Sequence, residues 1–364
     1  MLVTERRYDI DWMRVIAIGL LLIYHIAIAF QPWGLLVGFI QSDEPMPSLW
    51  IPMTMLNVWR IPLLFFVSGM GVFFAMRKRN ILGLLKERTV RILIPFIFGF
   101  LAISPLHVVL IMDYYGQAPQ YMPSAGHLWF LGNIFTYVLI LSPLFYYLKK
   151  NDQGKLAVGI KKLFSNPLGL AVAIIIMVTE AVLVNPNPFE LYAETWHGFF
   201  IGLLAFLLGF LFVFSGKGFW SMLLKWKWVF VILASALYIF RLIEFDLVAP
   251  SYLMSIESCL WIFSTFAFAL KYLNKPSKTL TYLSQAAYPI YIIHMFMLYG
   301  ACWLIFPLEI PVELQFVLVV LFTFTGCFAL YELVIRRVSL LRPLFGLKLE
   351  KKKVEQVKLD VKEV

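Results

Sequence analysis

The sequence predicts an all-α polytopic membrane protein of about ten transmembrane helices with both termini cytoplasmic. Three observations carry this expectation. Of the 364 residues, 61% are hydrophobic and only 14% charged, against about 25% charged in an ordinary soluble domain. The apolar runs are long and rich in Leu, Ile, Phe and Val, without the short polar/apolar alternation of an outer-membrane barrel. In hydrocarbon a helix satisfies its own backbone groups, so such runs are helices. Finally, the connections alternate in charge. Those on one side hold 28 of the 31 lysines and arginines, and those on the other hold only acids such as Asp43, Glu44, Asp113, Glu190 and Glu194. The positive-inside rule places the basic side in the cytoplasm, and a cytoplasmic (inner) membrane is the expected location.

The first span, 12–32, carries Arg14 and, eleven residues later, His25. At 100° and 1.5 Å per residue the two share a face, with His25 roughly 16 Å deeper and Asp11 near the same stripe. Ionisable groups in hydrocarbon cost several kcal/mol, about 2.5–3.5 for Arg on insertion scales, so this face points into the bundle. Bulky Gln31-Pro32-Trp33 follows where a cleavable signal carries small residues, so the span is expected to be retained. The second span, 48–76, holds Arg60 in NVWRIPLLFFVSGMG, roughly 16 Å from the outer end and beyond the reach of snorkelling. There it needs an anion, a carbonyl cluster freed by Pro62, or a water-filled cavity; a purely structural arginine is the alternative.

The third span, 88–112, opens KERTVRILIPF. Arg88 and Arg91 project side by side at i and i+3. They either anchor the helix end among headgroups or clamp a phosphate. GHLWFLGN introduces the fourth span, 128–148. Trp129 suits an interfacial aromatic belt, and His127 could cap the helix or act as a base on the acceptor side. Spans 167–185, 197–215, 227–244 and 252–271 read as scaffold. Arg241 and Glu257 lie at similar depth and could pair, Glu180 has no evident role, and His107 and His197 lie near the outer boundary. The ninth span, 282–304, carries His294 in YPIYIIH, again roughly 16 Å deep. His25, Arg60 and His294 therefore share a depth on three helices, as a buried reaction or transport site requires. The tenth span is 312–336. Residues 1–340 form one transmembrane unit; 341–364 form a basic cytoplasmic tail, whose stretch KLEKKKVEQVKLDVKEV is expected to be mobile or to lie along anionic headgroups.

The net charge of +10 follows the membrane topology and so does not indicate a nucleic-acid partner. Three cysteines in apolar runs give no disulfide framework, and no histidine or carboxylate spacing suits a metal. Phosphate-binding glycine loops and a Gly-x-Ser-x-Gly elbow are also absent from the sequence.

RRYDIDWMRVIAIGLLLIYHIAIAF resembles the first helix of the acyltransferase-3 family of bacterial membrane O-acyltransferases, with its arginine, ten residues, histidine pattern. RIPLLFFVSGM, KERTVRILIP, HLWFLGN and YPIYIIH resemble further phrases of that family, in the family's order over about residues 8–336. The glucan biosynthesis protein C-like subgroup is the most similar in flavour. The resemblance implies transfer of an acyl group, of the acetyl or succinyl class, from cytoplasmic acyl-CoA to a carbohydrate or glycan hydroxyl reached from outside. It implies that His25 is the catalytic histidine, with Arg14 as its partner and Arg60 and His294 in the same machinery. It also implies that Arg88 and Arg91 bind CoA phosphates and that His127 and Trp129 face the acceptor. The chain either acylates its acceptor directly or hands over to a separate extracytoplasmic transferase. Residue chemistry agrees, since histidine suits hydroxyl deprotonation and Arg60 an oxyanion. The rival is a secondary transporter or exporter, for which midplane charges and Pro52, Pro62, Gly69 and Gly71 also suit.

Overall fold

A computed structural model describes residues 6–349, and every regular element in them is helical. Nine helices are long and apolar enough to cross a membrane among the described residues; a bent pair of helices, joined as one span, makes a tenth. In chain order they begin with α1 (Tyr8–Ala29), α2 (Trp50–Met76), α3 (Ile81–Tyr114) and α4 (Trp129–Lys150). The short α5 (Lys155–Phe164) leads to α6 (Pro167–Val184) and α7 (Trp196–Phe214). The bent pair is α8 (Lys217–Lys225) and α9 (Lys227–Glu244), at 59° to each other. Then follow α10 (Ser251–Tyr272), α11 (Lys278–Ile305) and α12 (Val312–Leu330), which runs on through a π turn at Tyr331–Ile335. The expected spans all reappear, most within a few residues. The third is longer, beginning at Ile81, so Arg88 and Arg91 lie inside a continuous helix.

Two features shape α3. Its π turns, Thr89–Leu93 and Gly99–Ile103, contain Arg91 and Leu101. These are the residues four before Pro95 and Pro105, whose carbonyls a proline ring would strike in a regular α-helix. Widening the helix by one residue relieves each clash without breaking the span. The connections at the basic end also hold short helices. α5 buries Ala157 and Phe164, and α8 buries Phe219, Trp220, Met222 and Leu223.

The centre of the bundle is α2, which packs most extensively on α7. Gly69 and Gly209 set that contact. A Cβ on Gly69 would collide with the Phe206 carbonyl oxygen, and one on Gly209 with that of Phe66, so the two backbones touch. α1 lies against α2, α10 and α11, and α11 also packs on the Ser104–Tyr114 half of α3. This arrangement brings the expected site helices into mutual contact. Past the last span, the helical turn Leu341–Leu344 leads to Phe345, which is buried edge-on against Phe98. Residues 350–364, most of the expected basic tail, lie outside the described residues.

Candidate active site

A cavity of about 850 Å³ opens between α1, α2, the acidic-end half of α3, the turn before α4 and α11. His25, Arg60, His107, His127 and Trp129 all line it. His294 lies directly behind His25 and is fully buried. His25 Nδ1 is 2.8 Å from His294 Nε2, and the two rings stack nearly parallel, 5° apart. His294 Nδ1 lies 2.7 Å from the Tyr291 carbonyl oxygen, which can only accept. With both rings neutral, the proton positions follow. His294 carries its proton on Nδ1, its Nε2 accepts from His25 Nδ1–H, and His25 Nε2 is left with a bare lone pair. The half-buried ring that faces the cavity is thus the one holding the free base.

Two further histidines extend the row. The His127 ring is 4.8 Å from that of His294 and 5.9 Å from that of His107. Four of the five histidines in the chain therefore form one chain of rings. His127 Nε2 donates to the Ile292 carbonyl at 3.2 Å, and its own carbonyl accepts from the Tyr291 hydroxyl. The Nδ1 atoms of His127 and His107 are buried without a partner. His107 is the member that sequence reasoning missed, because its place near the outer boundary gave no reason to join it to the deeper residues.

Arg60 is 2% exposed, and its guanidinium lies 4.0 Å from the Tyr24 ring centroid. Its Nε and Nη1 are buried without a hydrogen-bond partner. Those N–H groups form a site for negative charge in a cavity of mixed aromatic and aliphatic wall. Tyr24 packs on Trp50, and Trp50 on Trp33, while Trp129 packs edge-on to Phe65. The connections add Glu190, Glu194 and Asp246 to the wall. Burial holds the Glu190 carboxyl above the usual carboxylate range.

Arg14 lies elsewhere. It shares the His25 stripe of α1 but is absent from the cavity wall, and Asp11 is 3.5 Å away. At Gly71 it meets Arg88. A Cβ on that glycine would lie 3.7 Å from Arg14 Nη2, and Arg88 Nη2 reaches the Gly71 carbonyl at 3.4 Å. Glu87 ties Arg88 to Arg91, at 3.3 Å from each. The structure thus brings together His25, His294, Arg60, His127 and Trp129 around one cavity. It gathers Arg14, Arg88 and Arg91 into a second cluster at the basic end, roughly 16 Å away along α1.

Two buried pairs stand apart from both. Arg241 meets Glu257 through two hydrogen bonds of 2.8 and 3.0 Å. His197 Nδ1 is 2.9 Å from Glu180 Oε1, which gives Glu180 a partner the sequence did not reveal. No group of three His, Cys, Asp or Glu among the described residues is placed to hold a metal ion.

A free imidazole nitrogen and unpaired guanidinium N–H groups at one cavity are equipment for moving a proton and holding an oxyanion. The comparisons agree with that chemistry. Residues 7–332 match the profile of a family described as an acyltransferase domain, Acyl_transf_3. No curated protein and no solved structure matches the chain. With the match covering nearly its whole length, this multi-pass membrane protein belongs to the acyltransferase-3 family and is an acyltransferase.

Proposed function

We propose that the protein moves an acyl group of the acetyl or succinyl class from acyl-CoA, bound at the basic end, to a carbohydrate hydroxyl that enters from the acidic end. One observation carries the reading: the hydrogen-bond chain from Tyr291 through His294 leaves His25 Nε2 bare in the cavity. His25 takes the proton of the acceptor hydroxyl as its oxygen attacks the thioester carbonyl. Charge gathers on the carbonyl oxygen, where the free N–H groups of Arg60 stabilise it. Collapse of the tetrahedral adduct breaks the C–S bond, and the proton held on Nε2 passes to the sulfur to give free CoA. His294 acts through His25, fixing its tautomer and ring plane, as buried partners of catalytic histidines do. It is a positioning residue.

Arg14, Arg88 and Arg91 take the donor's phosphates, because adjacent guanidinia bind phosphate bidentately. Arg14 thereby acts with the arginine pair. The pantetheine arm spans the distance to His25. On the acceptor side the faces of Trp33, Trp50 and Trp129 suit the apolar faces of a sugar ring, with His127 and His107 beside them. A glucan-type acceptor of an inner-membrane enzyme, acylated directly or through a separate extracytoplasmic transferase, fits this layout.

The test uses purified protein in nanodiscs, wild type beside His25→Ala and Arg88→Ala, titrated with CoA, acetyl-CoA and succinyl-CoA. Binding is read by calorimetry and transfer by free thiol release. The expected result is donor binding weakened in Arg88→Ala and thiol release lost in His25→Ala with binding intact. Normal release from His25→Ala, or no binding of any CoA by wild type, overturns the proposal.

A further inference from the structure

Glu87 lies inside the arginine cluster. Its Oε2 is 3.3 Å from Arg88 Nε and its Oε1 3.3 Å from Arg91 Nη1. Each carboxylate oxygen thus faces a different guanidinium, as two oxygens of one phosphate would. Neither contact is aligned as a hydrogen bond; Glu87 Oε2 and Arg88 Nε are both buried with no aligned partner. The Tyr288 hydroxyl, close enough to feel both arginine charges, is likewise buried and unpartnered. Glu87 is held at ion-pair distance by charge alone, amid donors that a better-shaped anion would satisfy. Arg14 and Arg88, which meet at Gly71, and Arg91 all repel one another. Asp11 lies against Arg14, and Glu87 is the carboxylate that lies against Arg88 and Arg91.

We propose that Glu87 is an internal stand-in for a donor phosphate: it offsets part of the charge of Arg88 and Arg91 in the free protein and is displaced when phosphate binds. This rests on the assignment of Arg14, Arg88 and Arg91 to the phosphates of CoA. A carboxylate and a phosphate on the same two guanidinia bring like charges together, and that repulsion favours loss of the carboxylate. The side chain of Glu87 is 18% exposed and that of Arg91 42%, so the carboxylate has a way out to water. The device keeps the basic cluster from holding stray anions and makes donor binding a competition that only a multiply charged ligand wins.

The test is CoA binding to wild type and Glu87→Gln in nanodiscs. Glutamine keeps the shape and removes the charge. The dissociation constant for CoA is expected to fall about fivefold in the variant, a typical size for one partly exposed ion pair. The thermal shift produced by saturating CoA should be larger than in wild type. Unchanged or weaker binding by Glu87→Gln, with wild type binding normally, overturns the displacement and leaves the donor site standing. No CoA binding by wild type overturns the donor site as well. A second measurement needs no variant: carboxyl footprinting of wild type, read by mass spectrometry at Glu87. Labelling should rise when CoA is added, and labelling that stays level or falls overturns the proposal.

Discussion

Arg60 and Arg241 are both arginines buried in the helix bundle, 2% and 1% exposed, and they are opposites in every other respect. Arg241 is saturated. It gives Nε and Nη2 to Glu257, Nη1 to the Leu247 carbonyl at 3.0 Å and Nη2 also to the Thr54 carbonyl at 3.3 Å. It pins the connection after α9 and the start of α2 to α10. Arg60 rests on the face of Tyr24 and leaves Nε and Nη1 unpaired. The histidines differ in where they sit: His197 pairs with Glu180 through Nδ1, and its Nε2 is buried away from the cavity wall, whereas His25 lines the cavity. A buried polar group left unpaired costs about 1–3 kcal/mol, and more when it is charged. The proposed function gives the unpaired donors of Arg60 a partner in the oxyanion, whereas Arg241 already has its own.

The contrast can be broken experimentally, and the largest effect is expected at His25. His25→Ala should lower acyl transfer about 10²- to 10⁴-fold, the usual weight of a general base, with the melting temperature of wild type; thiol release and thermal unfolding on one preparation decide it. Next comes the saturated pair. Arg241→Met leaves Glu257 buried without its cation, which should remove about 3–5 kcal/mol of stability. The folded fraction should turn over as wild type does, as a melting curve and an assay normalised to folded protein will reveal. Arg60→Lys should invert that pattern: a loss of about 10²- to 10³-fold in turnover, as for a lost oxyanion donor, with the melting temperature kept. If Arg60→Lys unfolds the bundle and leaves turnover per folded molecule intact, the two arginines are the same kind of residue and the comparison fails.

How much of this was legible in the sequence depends on which link is asked about. The spans were, because a run of apolar residues reports its own length. So was the common depth of His25, Arg60 and His294, because depth along a helix is counted at 1.5 Å per residue. Which helices touch was not. The 2.8 Å contact between His25 and His294 joins residues on helices 269 positions apart. The pairing of Glu180 with His197 is equally tertiary. Arg14 shows the limit of face arithmetic. It points the same way as His25, yet its neighbours are Gly71 and Arg88, since eleven residues of helix put it at another level of the bundle. His107 gives no such signal from its place near the outer boundary, and its approach to the His127 ring, 5.9 Å away on another element, is tertiary. The short helices α5 and α8 are not legible as spans, because ten and nine residues are too few to announce one.

The smallest expected effect is the most discriminating. If Arg241 serves only as half of a closed pair, then removing both charges together should undo most of the damage of removing one. Arg241→Met with Glu257→Leu should return to within about 1–2 kcal/mol of wild type, since apolar replacements of buried ion pairs are often close to neutral. Full recovery is not expected. The carbonyls of Thr54 and Leu247 lose a donor, and Trp261 Nε1, 3.4 Å from Glu257 Oε1, loses its acceptor. Arg60 offers no equivalent rescue, because no carboxylate partners it. Arg60→Met should leave stability unchanged or raised while transfer is lost, since the change removes an unpaired buried cation. A double variant no more stable than Arg241→Met alone would mean that Arg241 is held mainly by the two carbonyls. The saturated arginine would then be a clamp on the connections of the bundle, and Glu257 a late addition to it.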